Sequence, residues 1–149
     1  MTSQPADAPI PPIVKRVRVD LPVDGAFSLF TDQIGAWWPL ATHSVGGAES
    51  TVAFADGQIV ESMPDGRQCI WGTVLRWQPP NHLSFTWHPG QDPEPHTLVD
   101  VDFVAEGARC LVTLTHSGWE RIELHDLAGL DGYLQGWDLV LDRYLESSG

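Results

Sequence analysis

The sequence predicts an α+β domain of two layers, in which one curved antiparallel sheet is closed by one long C-terminal helix. Three observations predict it. Residues 126–146 carry a helical stripe, Leu127, Leu130, Leu134, Trp137, Leu141 and Tyr144, at steps of three and four. Residues 51–116 read as successive short strands separated by turn signals such as Asp56-Gly57, Pro64-Asp65-Gly66 and Glu106-Gly107. Gly129, Gly132 and Gly136 sit inside the helix pattern, where each costs about 1 kcal/mol relative to alanine. A helix that keeps such glycines needs space beside it, and space between a helix and a sheet is a ligand pocket.

The elements follow in order. Ile13–Asp20 alternates Ile13, Lys15, Val17 and Val19 with Val14, Arg16 and Arg18. It reads as a strand whose buried face the pattern leaves open. Pro22 opens a helix where its missing N–H does no harm, and Ala26, Phe27, Leu29 and Phe30 form its apolar side. Thr31 or Asp32 is expected to cap a second short helix through Ile34 and Trp37, ended by Pro39. A loop, Leu40–Glu49, holds Gly46-Gly47. Strands are then expected at 51–54, 58–62, 67–77, 82–88, 96–104 and 109–116. Short loops between consecutive strands imply an antiparallel meander. Residues 1–12 form a proline-rich tail, expected to be flexible, and 13–149 a single domain.

Composition narrows the function classes. The chain of 149 residues has a net charge of −12, with 20 acids against 8 Lys and Arg. That balance repels phosphate backbones and argues against nucleic-acid partners. No apolar run reaches the ~20 residues of a membrane span, and the start has no secretory signal pattern, so a cytoplasmic location is expected. Cys69 and Cys110 are the two cysteines. Their number implies no disulfide framework, and no cysteine–histidine spacing resembles a zinc site. An exposed edge strand leaves a homodimer open.

The ordered landmarks resemble a known family. They are Val17-Arg18-Val19-Asp20-Leu21-Pro22 before Ala26-Phe27, then Trp37-Trp38-Pro39-Leu40, Pro64-Asp65-Gly66-Arg67 and Trp71-Gly72-Thr73-Val74. Pro79-Pro80-Asn81-His82-Leu83-Ser84-Phe85-Thr86-Trp87 and Leu114-Thr115-His116-Ser117-Gly118-Trp119 follow, with Gly132-Tyr133 and Gly136-Trp137. Together they resemble the START-like (SRPBCC, helix-grip) superfamily, in its AHSA-like branch. The resemblance implies six or seven strands gripping the C-terminal helix, two short helices after the first strand, and a cavity for a hydrophobic molecule. It also implies the cavity's lining: Trp37, Trp38, Trp71, Phe85, Trp87, Val101, Phe103, His116, Trp119, Tyr133 and Trp137. Trp87 and Trp137 are the strongest candidates, one ending an apolar strand face and the other sitting mid-stripe beside Gly136.

The chemistry on these elements is sparse. His116 shares a strand face with Val112 and Leu114. It reads either as a general acid/base in the cavity or as a hydrogen-bonded histidine at the end of a core strand. His88, His96, Asp92 and Glu94 flank one loop without the spacing of a metal site. No serine sits in a nucleophile elbow, and no glycine-rich loop resembles a phosphate cradle. No catalytic residue, metal or cofactor is therefore assigned. The expected function is binding of a small hydrophobic or aromatic molecule between sheet and helix. A pocket enzyme of cyclase or hydratase type and a chaperone-linked interaction module are the alternatives.

Overall fold

The computed structural model describes residues 11–88, 97–119 and 127–148. Strand β1 (Ile13–Val19) leads into helices α1 (Val23–Thr31) and α2 (Ile34–Trp37). Strands β2 (Thr51–Ala55), β3 (Gln58–Ser62), β4 (Gln68–Gln78), β5 (His82–Trp87), β6 (Thr97–Glu106) and β7 (Arg109–Ser117) follow, and helix α3 (Leu127–Ser148) ends the chain. The seven strands form one antiparallel sheet in the order β1-β7-β6-β5-β4-β3-β2. The expected helix-grip architecture is the observed one.

Register puts the apolar positions on one face. Phe85, Val99, His116 and Ile13 pair in one row across β5, β6, β7 and β1. Leu83, Val101, Leu114 and Lys15 form the next. Period-2 alternation makes every residue of such a row face the same side. The face left open by the sequence of β1 is thereby settled: Ile13 and Val19 are buried inward while Val14, Arg16 and Arg18 are exposed. Lys15 reaches α3, where its Nζ lies 2.7 Å from Asp138 Oδ1. Asp100 and Asp102 fall on the other face, where His82 Nδ1 is 2.7 Å from Asp102 Oδ1. The hairpin turn between β2 and β3 places Asp56 at φ 53° and Gly57 at φ 76°. Two positive φ values in a two-residue turn match the strand twist, which is why Asp-Gly suits this site.

The helices close the apolar face. In α3, Trp137, Val140, Leu141 and Tyr144 are buried, the spacing of one helical stripe. The side chains of Leu127 and Leu130, expected on the same stripe, lie outside the described residues, as do the surroundings of Gly129 and Gly132. In α1, Ala26, Phe27, Leu29 and Phe30 are buried. The capping expectation for α2 is corrected: its N-cap is Gln33, without a side-chain bond. Thr31 instead donates back to Phe27 O at 2.8 Å, and Asp32 accepts from Ser28 Oγ at 3.2 Å. Both side chains were already engaged with α1. Residues 1–10 of the proline-rich tail and the loop with Asp92, Glu94 and His96 lie outside the described residues.

Tyr144 ties the layers together. Its ring packs on Phe30 and Trp37, and its hydroxyl donates to Ala26 O at 2.7 Å across 118 residues of sequence. Tyr144→Phe is expected to lower the unfolding free energy by about 1 kcal/mol, read by urea denaturation. No change would mean the hydroxyl contributes nothing to joining α3 to α1.

Candidate functional site

A cleft of about 250 Å³ opens between α3, the end of β5 and the loop after α2. Its walls are Trp38, Trp87, Tyr133, Gly136, Trp137 and Val140, and its rim is His43, Ser44 and Val45. The three indoles stand around one another: Trp87 and Trp137 centroids are 5.2 Å apart, Trp38 and Trp87 5.8 Å, Trp38 and Trp137 6.2 Å. Trp71, fully buried, backs this wall at 5.0 Å from Trp38. Gly136 is the helix glycine at the cleft. A β-carbon there would stand 3.5 Å from His43 Nε2, so the glycine leaves room between helix and rim.

His116 stands behind Trp137, outside the lining. The Trp137 indole N–H donates to His116 Nδ1 at 2.8 Å. An indole nitrogen can only donate, so Nδ1 is the acceptor and the proton of the neutral ring sits on Nε2. Nε2–H then donates to Thr97 Oγ1 at 2.6 Å, and the Thr97 hydroxyl donates onward to Trp87 O at 3.3 Å. One relay thus links α3, β7, β6 and the Trp87 backbone. Burial, with no exposed surface left, pushes the imidazole pKa down to about 3. The geometry is that of a hydrogen-bonded core histidine: Nδ1 is engaged by the Trp137 indole and Nε2 by Thr97. Tyr133, which does line the cleft, has its phenol pKa raised by burial.

Glu61 escaped the sequence reading. It is wholly buried on β3. Its carboxylate accepts from Val45 N–H at 2.9 Å, Gly46 N–H at 2.7 Å and Trp71 Nε1–H at 3.0 Å. Burial alone would raise its pKa, but the Val45 and Gly46 amides and the Trp71 indole together hold it below the ordinary value.

Of the expected lining residues, the structure brings Trp38, Trp87, Tyr133 and Trp137 to the cleft. Trp37, Trp71, Phe85, Val101, Phe103, His116 and Trp119 belong instead to the packed core around it. Their surfaces are consumed by neighbours: Trp37 packs on Phe30 and Tyr144 and donates to Leu29 O, Phe103 on Phe27, Trp119 on His116. His43, Ser44, Val45, Gly136 and Val140 join the lining, though only the helix-glycine argument had pointed near any of them. Among the described residues, no group of three or more His, Cys, Asp or Glu is arranged to hold a metal ion. No described helix is long and apolar enough to cross a membrane.

A seven-stranded sheet gripping a C-terminal helix, with an aromatic cleft between them, defines a START-like, helix-grip protein. The chain belongs to the family described as activator of Hsp90 ATPase homolog 1-like protein, whose model matches residues 20–147. Among solved structures, an anthrahydroquino-gamma-pyrone synthase, Txn09, is similar at 27% identity and a TM-score of 0.60, covering 93% of this chain and 97% of that one. CalU16 from Micromonospora echinospora is similar at 24% identity and a TM-score of 0.57, covering 90% and 71%. XoxI from Bacillus cereus shares the fold at 10% identity and a TM-score of 0.68, covering 93% and 96%. A comparison with curated protein sequences gave no match.

Proposed function

We propose that this protein binds a small planar hydrophobic molecule in the cleft walled by Trp38, Trp87 and Trp137. The observation that carries the reading is the convergence of three indoles on one open cleft of about 250 Å³. Aromatic faces favour stacked or edge-on partners, and ligand sites are mostly apolar with few polar groups. Here the polar groups are His43, Ser44 and Tyr133. A cavity of roughly 150 Å³ accepts benzene, so this cleft suits about one fused bicycle. The similarity to Txn09, an anthrahydroquino-gamma-pyrone synthase, supports an aromatic ligand.

The same similarity favours a second reading, in which the cleft promotes a ring-forming step. The groups available for it are His43, Ser44 and Tyr133, since His116 has both nitrogens engaged. Binding without turnover is the preferred reading because Ser44 is itself committed to the rim. Its hydroxyl donates to Leu40 O at 2.6 Å and accepts from Gly47 N–H at 2.8 Å.

Titration with 2-naphthol, a neutral bicycle whose absorption overlaps indole emission, tests the proposal. Saturable quenching of tryptophan fluorescence with one-site stoichiometry is expected. Linear quenching of the kind free tryptophan gives would remove the cleft as a ligand site. Recovery of chemically altered ligand after incubation would move the enzyme reading to first place.

A further inference from the structure

The rim of the cleft is held at two points: Trp38 Nε1–H donates to His43 O at 2.7 Å, and one side chain from a different part of the fold takes the amides that follow. Residues 43–45 overhang α3, and two consecutive amides, Val45 and Gly46, turn away from the cleft onto the Glu61 carboxylate at 2.9 and 2.7 Å. Two N–H groups cannot satisfy each other; they need an acceptor, and a carboxylate offers two oxygens. Glu61 Oε1 also takes the Trp71 indole proton at 3.0 Å. Trp71 is the plate behind the wall, 5.0 Å from Trp38 and 5.9 Å from Trp87. One buried carboxylate therefore grips the rim and the wall together.

The site is closely built. A β-carbon on Gly46 would collide with Ser50 Oγ and come within 2.8 Å of Met63 Cγ and 3.1 Å of Glu61 Oε2. Glu61 itself sits mid-strand on β3, paired with Val52 on β2 and Cys69 on β4, so its backbone has little freedom. A buried carboxylate is costly to desolvate, and a well-packed apolar residue is often at least as stable in its place. An apolar side chain here would leave three donors orphaned and release the Val45–Gly46 end of the rim, with only the Trp38 bond to His43 O still joining rim to wall.

We propose that Glu61 is the positioning residue of the aromatic cleft: it latches the Ser44–Gly47 rim to the Trp71-backed wall, so that the cleft is shaped before a ligand arrives and a bound ligand is retained. The inference rests on the pocket reading above. Preorganisation of this kind acts chiefly on dissociation, because a rim that opens releases the ligand without changing how it encounters the cleft.

Glu61→Gln tests it, because glutamine keeps the shape and one acceptor but turns an NH₂ group toward one of the donors. Hydrogen exchange at the Val45 and Gly46 amides is expected to accelerate about tenfold in the ligand-free variant. In stopped-flow with 2-naphthol, the dissociation rate is expected to rise about tenfold, with little change in association. Val19→Ala, at a fully buried position on β1, supplies a destabilised control. It should lower the melting temperature and leave both readouts at wild-type values well below that temperature. Saturable binding with unchanged dissociation in Glu61→Gln overturns the latch alone. Wild-type protein with no saturable signal overturns the pocket reading and the retention role together. Unchanged exchange at Val45 and Gly46 shows that Glu61 does not hold the rim.

Discussion

Replacing Trp137 with alanine is expected to reduce the unfolding free energy by about 3–5 kcal/mol and to abolish 2-naphthol binding. The indole is 4% exposed and is the part of α3 that meets both the cleft and the core. Truncation removes one face of the wall, opens a void toward Trp38 and Trp87, and leaves His116 Nδ1 without its donor. Trp137→Phe separates the two parts. It keeps one aromatic ring but loses the N–H and part of the bicycle's buried volume, so the expected cost is about 1–3 kcal/mol and binding should persist with weakened affinity. Denaturant unfolding of both variants, with naphthol titration of each, decides the matter. An alanine variant that binds like wild type would remove Trp137 from the wall. A loss below about 1 kcal/mol would contradict its packing.

The fold was legible because its signals are local. Asp56-Gly57 and Glu106-Gly107 mark turns by backbone chemistry, and alternation along 97–104 and 109–116 separates the inward rows from Asp100 and Asp102. The site was legible only in part. Seven tryptophans in a small domain must supply both core and wall, and periodicity reports burial without reporting what buries. Trp37 and Trp71 read like Trp87 and Trp137 until neighbours are known. The rim residues His43, Ser44 and Val45 have no periodic signal, because their positions are set by side-chain bonds: Trp38 holds His43 O, and Glu61, sixteen residues beyond Val45, holds the Val45 amide. One clue was present: within 58–62, Ile59 and Glu61 alternate together and both are buried. A glutamate on the apolar phase of a strand is a buried charge that needs donors, and the nearest unassigned donors were the amides beside Gly46-Gly47.

Acid is expected to weaken the protein through His116. Its pKa is about 3 in the folded chain and about 6.5 when unfolded. Between those values the unfolded chain binds a proton that the folded chain refuses, so stability falls as pH drops below about 6.5 and levels off below about 3. Above that window His116 contributes no pH dependence. At pH 5 the expected loss is about 2 kcal/mol relative to pH 7.5. Glu61 acts in the same direction, but only below its unfolded carboxylate range, since its folded pKa is lowered from 4.5. Urea unfolding at pH 7.5 and pH 5 therefore reads His116 largely apart from Glu61. His116→Asn keeps an acceptor near the Nδ1 position and cannot titrate. It should start from lower stability, because Thr97 loses its donor, yet lose about 2 kcal/mol less than wild type on going to pH 5. Equal pH slopes in the two proteins would mean that His116 is protonated, or solvated, in the folded state. The indole of Trp137 could not then donate to it, and the relay that fixes the cleft wall would have to be withdrawn.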